Sequence, residues 1–152
     1  MTSEYFSRWS PEVGLLVTRL TGEADLKTIT AWNASLHLAL AEIPDGADFR
    51  ILVDIHGFKA ANIEAHKAFR VVVPEALAAY GWRAGYLGLF PEVELMVKLT
   101  RGIRCIAAAH VHQDETKIAL YEQRFATCNE RFFTDRAEGE RWVRALPRAR
   151  RA

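Results

Sequence analysis

The nine residues AHVHQDETK, 109–117, set two imidazoles, a carboxamide and two carboxylates into six consecutive positions, His110 to Glu115. On an extended chain His110, His112 and Asp114 share one face at steps of two, a spacing that metal sites use. A second polar pair, Asp54 and His56, ends the apolar run ILVDIH. If the two runs lie side by side and parallel, Asp54, His56, His110, His112 and Asp114 converge, and two or three imidazoles with a carboxylate suit zinc or another divalent ion. The same letters also fit a seam between a buried strand and a helix. Asp114 then caps the helix, Glu115 answers its dipole, and the imidazoles bond loop carbonyls or line a polar pocket. The second reading needs fewer coincidences, so neither a metal nor another cofactor is expected.

Known chemistries can be compared with this inventory. HVHQDE resembles the HxHxDH signature of metallo-β-lactamase-like hydrolases, but its sixth position is Glu115. The histidines stand at 37, 56, 66, 110 and 112, so none lies downstream to supply further ligands. Serine occurs at 3, 7, 10 and 35 and never in a GxSxG elbow. Cys105 sits among apolar neighbours and Cys128 beyond a helix end, with no CxxC pair for a zinc clip or redox dithiol. GxxxxGK[ST] and GxGxxG are both missing. No catalytic residue is assigned. The alternative kept open is a small metal-dependent enzyme using His56, His110 and His112.

The chain must bury enough surface to hold such residues still. A domain of 152 residues removes roughly 68–70% of its unfolded surface from water. With 50% hydrophobic and 26% charged residues it reads as one folded unit. Basic residues number 20 against 19 acidic, yet the last nine residues hold four Arg and no acid. The body is therefore mildly acidic, which argues against a nucleic-acid groove. No apolar signal region and no run approaching about 18 apolar residues is present, so a cytoplasmic protein without stable membrane insertion is expected.

Hydrophobic periodicity supplies the elements. GLLVTRLTG (14–22) reads as a first strand after an N-terminal extension of residues 1–13. Ile29, Trp32, Leu36, Leu40 and Ile43 step by three and four, giving an amphipathic helix stopped by Pro44-Asp45-Gly46, with His37 on its wet face. FRILVDI (49–55) reads as a central strand covered on both faces. Asn62 caps a second helix that ends near Gly81 and should kink or break at Pro74. WRAGYLGLF (82–90) is a strand candidate weakened by Gly85 and Gly88, and residues 91–101 fit strand and helix alike. IRCIAAAHVH (103–112) looks extended, a helix runs from Glu115 to about Ala126, ERFFTD (130–135) is a last strand, and a helix from Arg136 to Leu146 closes the domain before a basic tail at 147–152.

Alternating strands and helices with short connections imply a single α/β domain at 14–146, with a four- to six-stranded, mostly parallel or mixed sheet and helices packed on it. The first strand ending in TG, the LVD strand with a glycine turn, and the aromatic RFF strand before a Trp-containing helix resemble the SpoIIAA-like branch of the STAS superfamily, the sulfate-transporter and anti-sigma-factor-antagonist domains. That resemblance implies a phosphoacceptor serine at a helix N-terminus after the LVD strand. Here the positions fall on Asn62, Ile63, Glu64 and Ala65, so phosphorylation-driven partner switching is not expected. About twenty extra residues precede ERFF and contain the histidine motif. Some members of that branch look like carriers or sensors of small apolar ligands. The expectation is a non-enzymatic binding or regulatory module of a bacterial-type cytoplasm, with a pocket at the C-terminal rim of the strands built from Asp54, His56, Tyr86, Phe90, His110, His112 and Asp114. Partners are a small apolar ligand and, through a strand edge or residues 92–99, a second copy of the chain.

Overall fold

The structure, a computed structural model, describes residues 3–90 and 94–147. All but Pro147 of the basic tail, and the first residues of the 91–101 segment, lie outside the described residues. The elements run β1 (Glu4–Ser10), β2 (Leu15–Ala24), α1 (Leu26–Ala41), β3 (Asp48–Asp54), β4 (Phe58–Ala60), α2 (Ile63–Ala78), β5 (Arg104–Val111), α3 (Glu115–Phe125), β6 (Glu130–Phe133) and α4 (Arg136–Ala145). They form one α/β domain. The six-stranded sheet has the order β1-β2-β3-β5-β6, with β4 pairing the end of β2; only β1 runs antiparallel.

The expected extension at residues 1–13 instead contains an edge strand. Its apolar content is too low for periodicity to mark it, and polar contacts hold it down. Ser7 Oγ lies 2.8 Å from Thr18 Oγ1 and 2.9 Å from Ser35 Oγ, and buried Thr18 accepts the Trp32 Nε1–H at 2.8 Å. One hydroxyl thus joins β1, β2 and α1. Around it Ile29, Leu36 and Leu40 are fully buried, each contributing about 1.5–3 kcal/mol. α2 continues unbroken through the buried Pro74, against the expected kink or break, because its apolar face is packed on the core along Val72, Val73, Ala76 and Leu77.

Residues 82–90 form no strand. Gly85–Leu89 is a 3-10 turn, with Trp82, Ala84 and Leu87 buried beneath it. Gly85 fits where a larger residue would not, since a Cβ there would stand 3.1 Å from Glu130 Oε1 and 3.3 Å from Phe125 Cβ. Residues 94–98 are neither strand nor helix, with Met96 and Val97 exposed. Two backbone bonds, Lys98 N–H to Ala78 O and Thr100 N–H to Ala79 O, both 2.8 Å, lay this segment against the end of α2.

β3 holds the opposite face. Its even positions turn toward α4, where Leu52 joins Leu15, Ala109, Val111, Phe133 and Val143 in a second core. Arg50, 2% exposed, donates from Nη1 to the carbonyls of Val143 (3.0 Å), Arg144 (3.0 Å) and Leu146 (2.7 Å), and from Nη2 to that of Val13. A buried guanidinium therefore caps the C-terminus of α4, where the helix dipole favours a cation. Arg50→Met should lower the unfolding free energy by about 3–5 kcal/mol in urea titration, as four carbonyls lose their donor. Arg50→Lys should recover only part of this, since an ammonium cannot fork; a change below about 1 kcal/mol in Arg50→Met would contradict this account.

Candidate functional site

The helices on the cavity side leave β5 thinly covered. α1 packs over β1 and β2, α2 over β4 and α3 over β6, and on this side the small Ala108 of β5 stands between them, while Ala107 and Ala109 face α4. The gap is a cavity of about 90 Å³ at the C-terminal ends of the parallel strands, where sheets of this type bind ligands. With a single water needing about 10–15 Å³ on such a scale, it has room for several waters or one substituted ring. Its floor is a register row across three strands, Val53, His110 and Phe132. Trp32 of α1, Phe69, Val73 and Pro74 of α2, and Ile118 and Tyr121 of α3 make the walls, and Tyr86 and Phe90 come from the segment between α2 and β5.

His110 organises the floor. Its ring stacks on Phe132 at 4.8 Å between centroids and meets Tyr86 edge-on at 5.5 Å. Its Nε2 lies 2.9 Å from Oε2 of buried Glu130, whose Oε1 accepts the Gly85 N–H at 3.2 Å. One carboxylate therefore orients the imidazole and pins the covering segment. Burial, with Glu130 and Tyr121 nearby, pushes the Tyr86 phenol far above its usual range, so it stays a neutral hydroxyl.

His112 and His66 stand at the mouth. His112 Nδ1 accepts the Asp114 N–H at 3.0 Å, which puts the ring proton of the neutral tautomer on Nε2. Burial first, then the Lys117 charge, lowers the pKa of His112, and the same two causes lower that of His66. Lys117 projects over the Tyr121 ring at 5.7 Å and Arg70 over Phe90 at 4.9 Å.

Of the residues the sequence singles out, the structure brings Tyr86, Phe90, His110 and His112 together in this cavity. The other three go elsewhere. Asp54 is fully buried on the far face, its Oδ2 receiving Arg19 Nε and Arg136 Nε at 2.7 Å each and its Oδ1 the His56 N–H at 3.0 Å. His56 lines a separate open cleft with Arg19 and Arg136. Asp114 caps α3, accepting the Lys117 N–H at 3.1 Å. Parallel pairing of β3 with β5 does align the two rims, but even positions of β3 face α4 whereas His110 faces the cavity. Among the described residues no group of three or more His, Cys, Asp or Glu could hold a metal ion, and His56, His110 and His112 are not assembled. Sequence reading missed Glu130, Lys117 and Arg70. A charged residue opening the aromatic run ERFF was the available signal for Glu130.

No family model matches the chain, and no curated protein matches it. The architecture is that of the SpoIIAA-like α/β proteins. Among solved structures, an uncharacterized protein from the DUF3478 family with a SpoIIAA-like fold, from Shewanella loihica PV-4, superposes with a TM-score of 0.52 at 15% identity, covering 93% of each chain. At that identity the likeness is one of fold.

A lowered histidine pKa has a stability consequence. His112 is neutral when folded, so its contribution is complete above the ordinary value of 6.5 and is lost as pH falls through the lowered value, where the unfolded chain takes up the proton first. Protonation also removes the Nδ1 acceptor for Asp114 N–H. Urea midpoints of wild type should therefore fall between pH 7 and pH 5 more steeply than those of His112→Asn; parallel curves would contradict this assignment.

Proposed function

We propose that the protein is a non-enzymatic binding module for a small, largely apolar ligand held in the cavity between α2 and α3, with a regulatory output. The observation that carries this reading is the lining itself: aromatic and aliphatic side chains from six elements, with a few polar groups at one end, the composition of ligand pockets in general. Among the described lining residues there is no Ser, Cys, Asp or Glu to serve as nucleophile or carboxylate base. Cys105 is buried near the start of β5 and is not among the lining residues, and burial raises its thiol pKa well above the ordinary range.

A regulatory role finds support in α2. His66, Phe69, Arg70, Val73 and Pro74 of that helix line the cavity, and its N-terminus, capped by Asn62 through a 2.8 Å bond to Ala65 N–H, is where the family resemblance places a phosphoacceptor. Ligand occupancy would act on the helix that phosphorylation acts on in anti-sigma antagonists.

Saturation-transfer NMR with benzyl alcohol as a neutral probe, and mass spectrometry of small molecules released from freshly purified protein, test the reading. Wild type should show transfer that Val73→Phe, which fills the space, reduces at least tenfold at an unchanged or higher urea midpoint. Equal transfer in the two proteins would count against the cavity; no transfer and no released molecule would end the proposal.

A further inference from the structure

Among the described lining residues the charge at the polar end of the cavity is of one sign. Arg70 from α2 and Lys117 from α3 reach its mouth, His66 and His112 stand beside them, and no acidic side chain lines it among the described residues. The Lys117 charge lowers the pKa of both His66 on α2 and His112 at the end of β5, so its ammonium lies within electrostatic reach of each. That ammonium has no ion-pair partner among the described residues and lies over the face of Tyr121. Asp114, one turn earlier, accepts the Lys117 N–H of its own helix with one carboxylate oxygen, and its charge opposes that of Lys117 at His112.

Hydrogen-bonding capacity points the same way. His112 presents Nε2–H because its Nδ1 is already an acceptor. The Tyr86 hydroxyl remains protonated, and lysine and arginine offer donors alone. Among the described residues the mouth has more donors than acceptors, while the interior beyond it is made of rings and branched aliphatic chains. A cation entering it would meet like charge, and a neutral hydrocarbon would leave the donors unanswered.

We infer that the ligand is a small monocarboxylate with a flat or branched apolar body, its carboxylate bound at the mouth by Lys117 and His112 and its body lying over His110 and Phe132. This rests on the binding reading above and adds the head group to it. A monoanion is favoured over a phosphate because one unengaged ammonium balances one charge, and the cavity has room for little beyond a ring.

Isothermal titration of the full chain with benzoate, benzyl alcohol, benzylamine and phenyl phosphate tests it. Wild type should bind benzoate at least tenfold tighter than benzyl alcohol, with benzylamine weakest and phenyl phosphate weaker than benzoate. Lys117→Met should bring benzoate to within about twofold of benzyl alcohol while benzyl alcohol itself changes less than twofold, and Lys117→Arg should restore the preference. Raising salt should weaken benzoate alone. Equal binding of benzoate and benzyl alcohol by wild type overturns the head-group assignment and leaves the apolar pocket standing. Tighter phenyl phosphate overturns the choice of carboxylate, and a preference that survives in Lys117→Met overturns the role of Lys117. No binding of any of the four overturns this inference, and the pocket reading is then decided separately by the released-molecule analysis.

Discussion

The buried pair of His110 and Glu130 is the contact on which the candidate site rests. A carboxylate taken out of water needs its oxygens answered, and Glu130 has one partner in the imidazole of β5 and the other in the backbone of Gly85. The two bonds tie the sheet to a covering segment that has no regular strand or long helix of its own. Without them the segment from 82 to 90 would be anchored by the burial of Trp82, Ala84 and Leu87, contacts that fix depth but not orientation. With them, Tyr86 stands edge-on to His110 and the cavity has a defined roof.

Polar residues on the other face of the sheet do structural work. Arg50 and Asp54 are two turns of the β3 pleat apart, and each holds one end of α4: Arg50 its last carbonyls, Asp54 its first side chain, Arg136. The helix lies against the sheet closely enough that a Cβ on Gly139 would come within 3.0 Å of Val111 Cγ2. An acidic residue at a strand C-terminus resembles a catalytic carboxylate in sequence. In the fold Asp54 is bridged between two guanidinia, those of Arg19 and Arg136, and fixes the His56 turn, which is why it does not join the histidines.

How far the sequence could be read follows from which forces are local. Helices α1, α3 and α4, strands β3, β5 and β6, and the Asn62 and Asp114 caps were legible, because apolar spacing and side-chain capping act within a few residues. β1 was not, since its docking depends on a hydroxyl network spanning residues 7, 18, 32 and 35. The segment at 82–90 misled because glycine, aromatic and leucine residues in that order suit a weak strand as well as a 3-10 turn; what decided it was the approach of Gly85 to Glu130, 45 residues later.

By itself, then, the sequence determined an α/β domain with a polar histidine seam at the end of a buried strand, since periodicity and caps are written in neighbouring letters. Which side of the sheet each polar residue faces was decided by tertiary structure alone. Strand register sets Val53, His110 and Phe132 in one row and sends Asp54 to the opposite face, and register is fixed when the apolar pattern of each strand is matched to the distant helices packed on the two faces of the sheet.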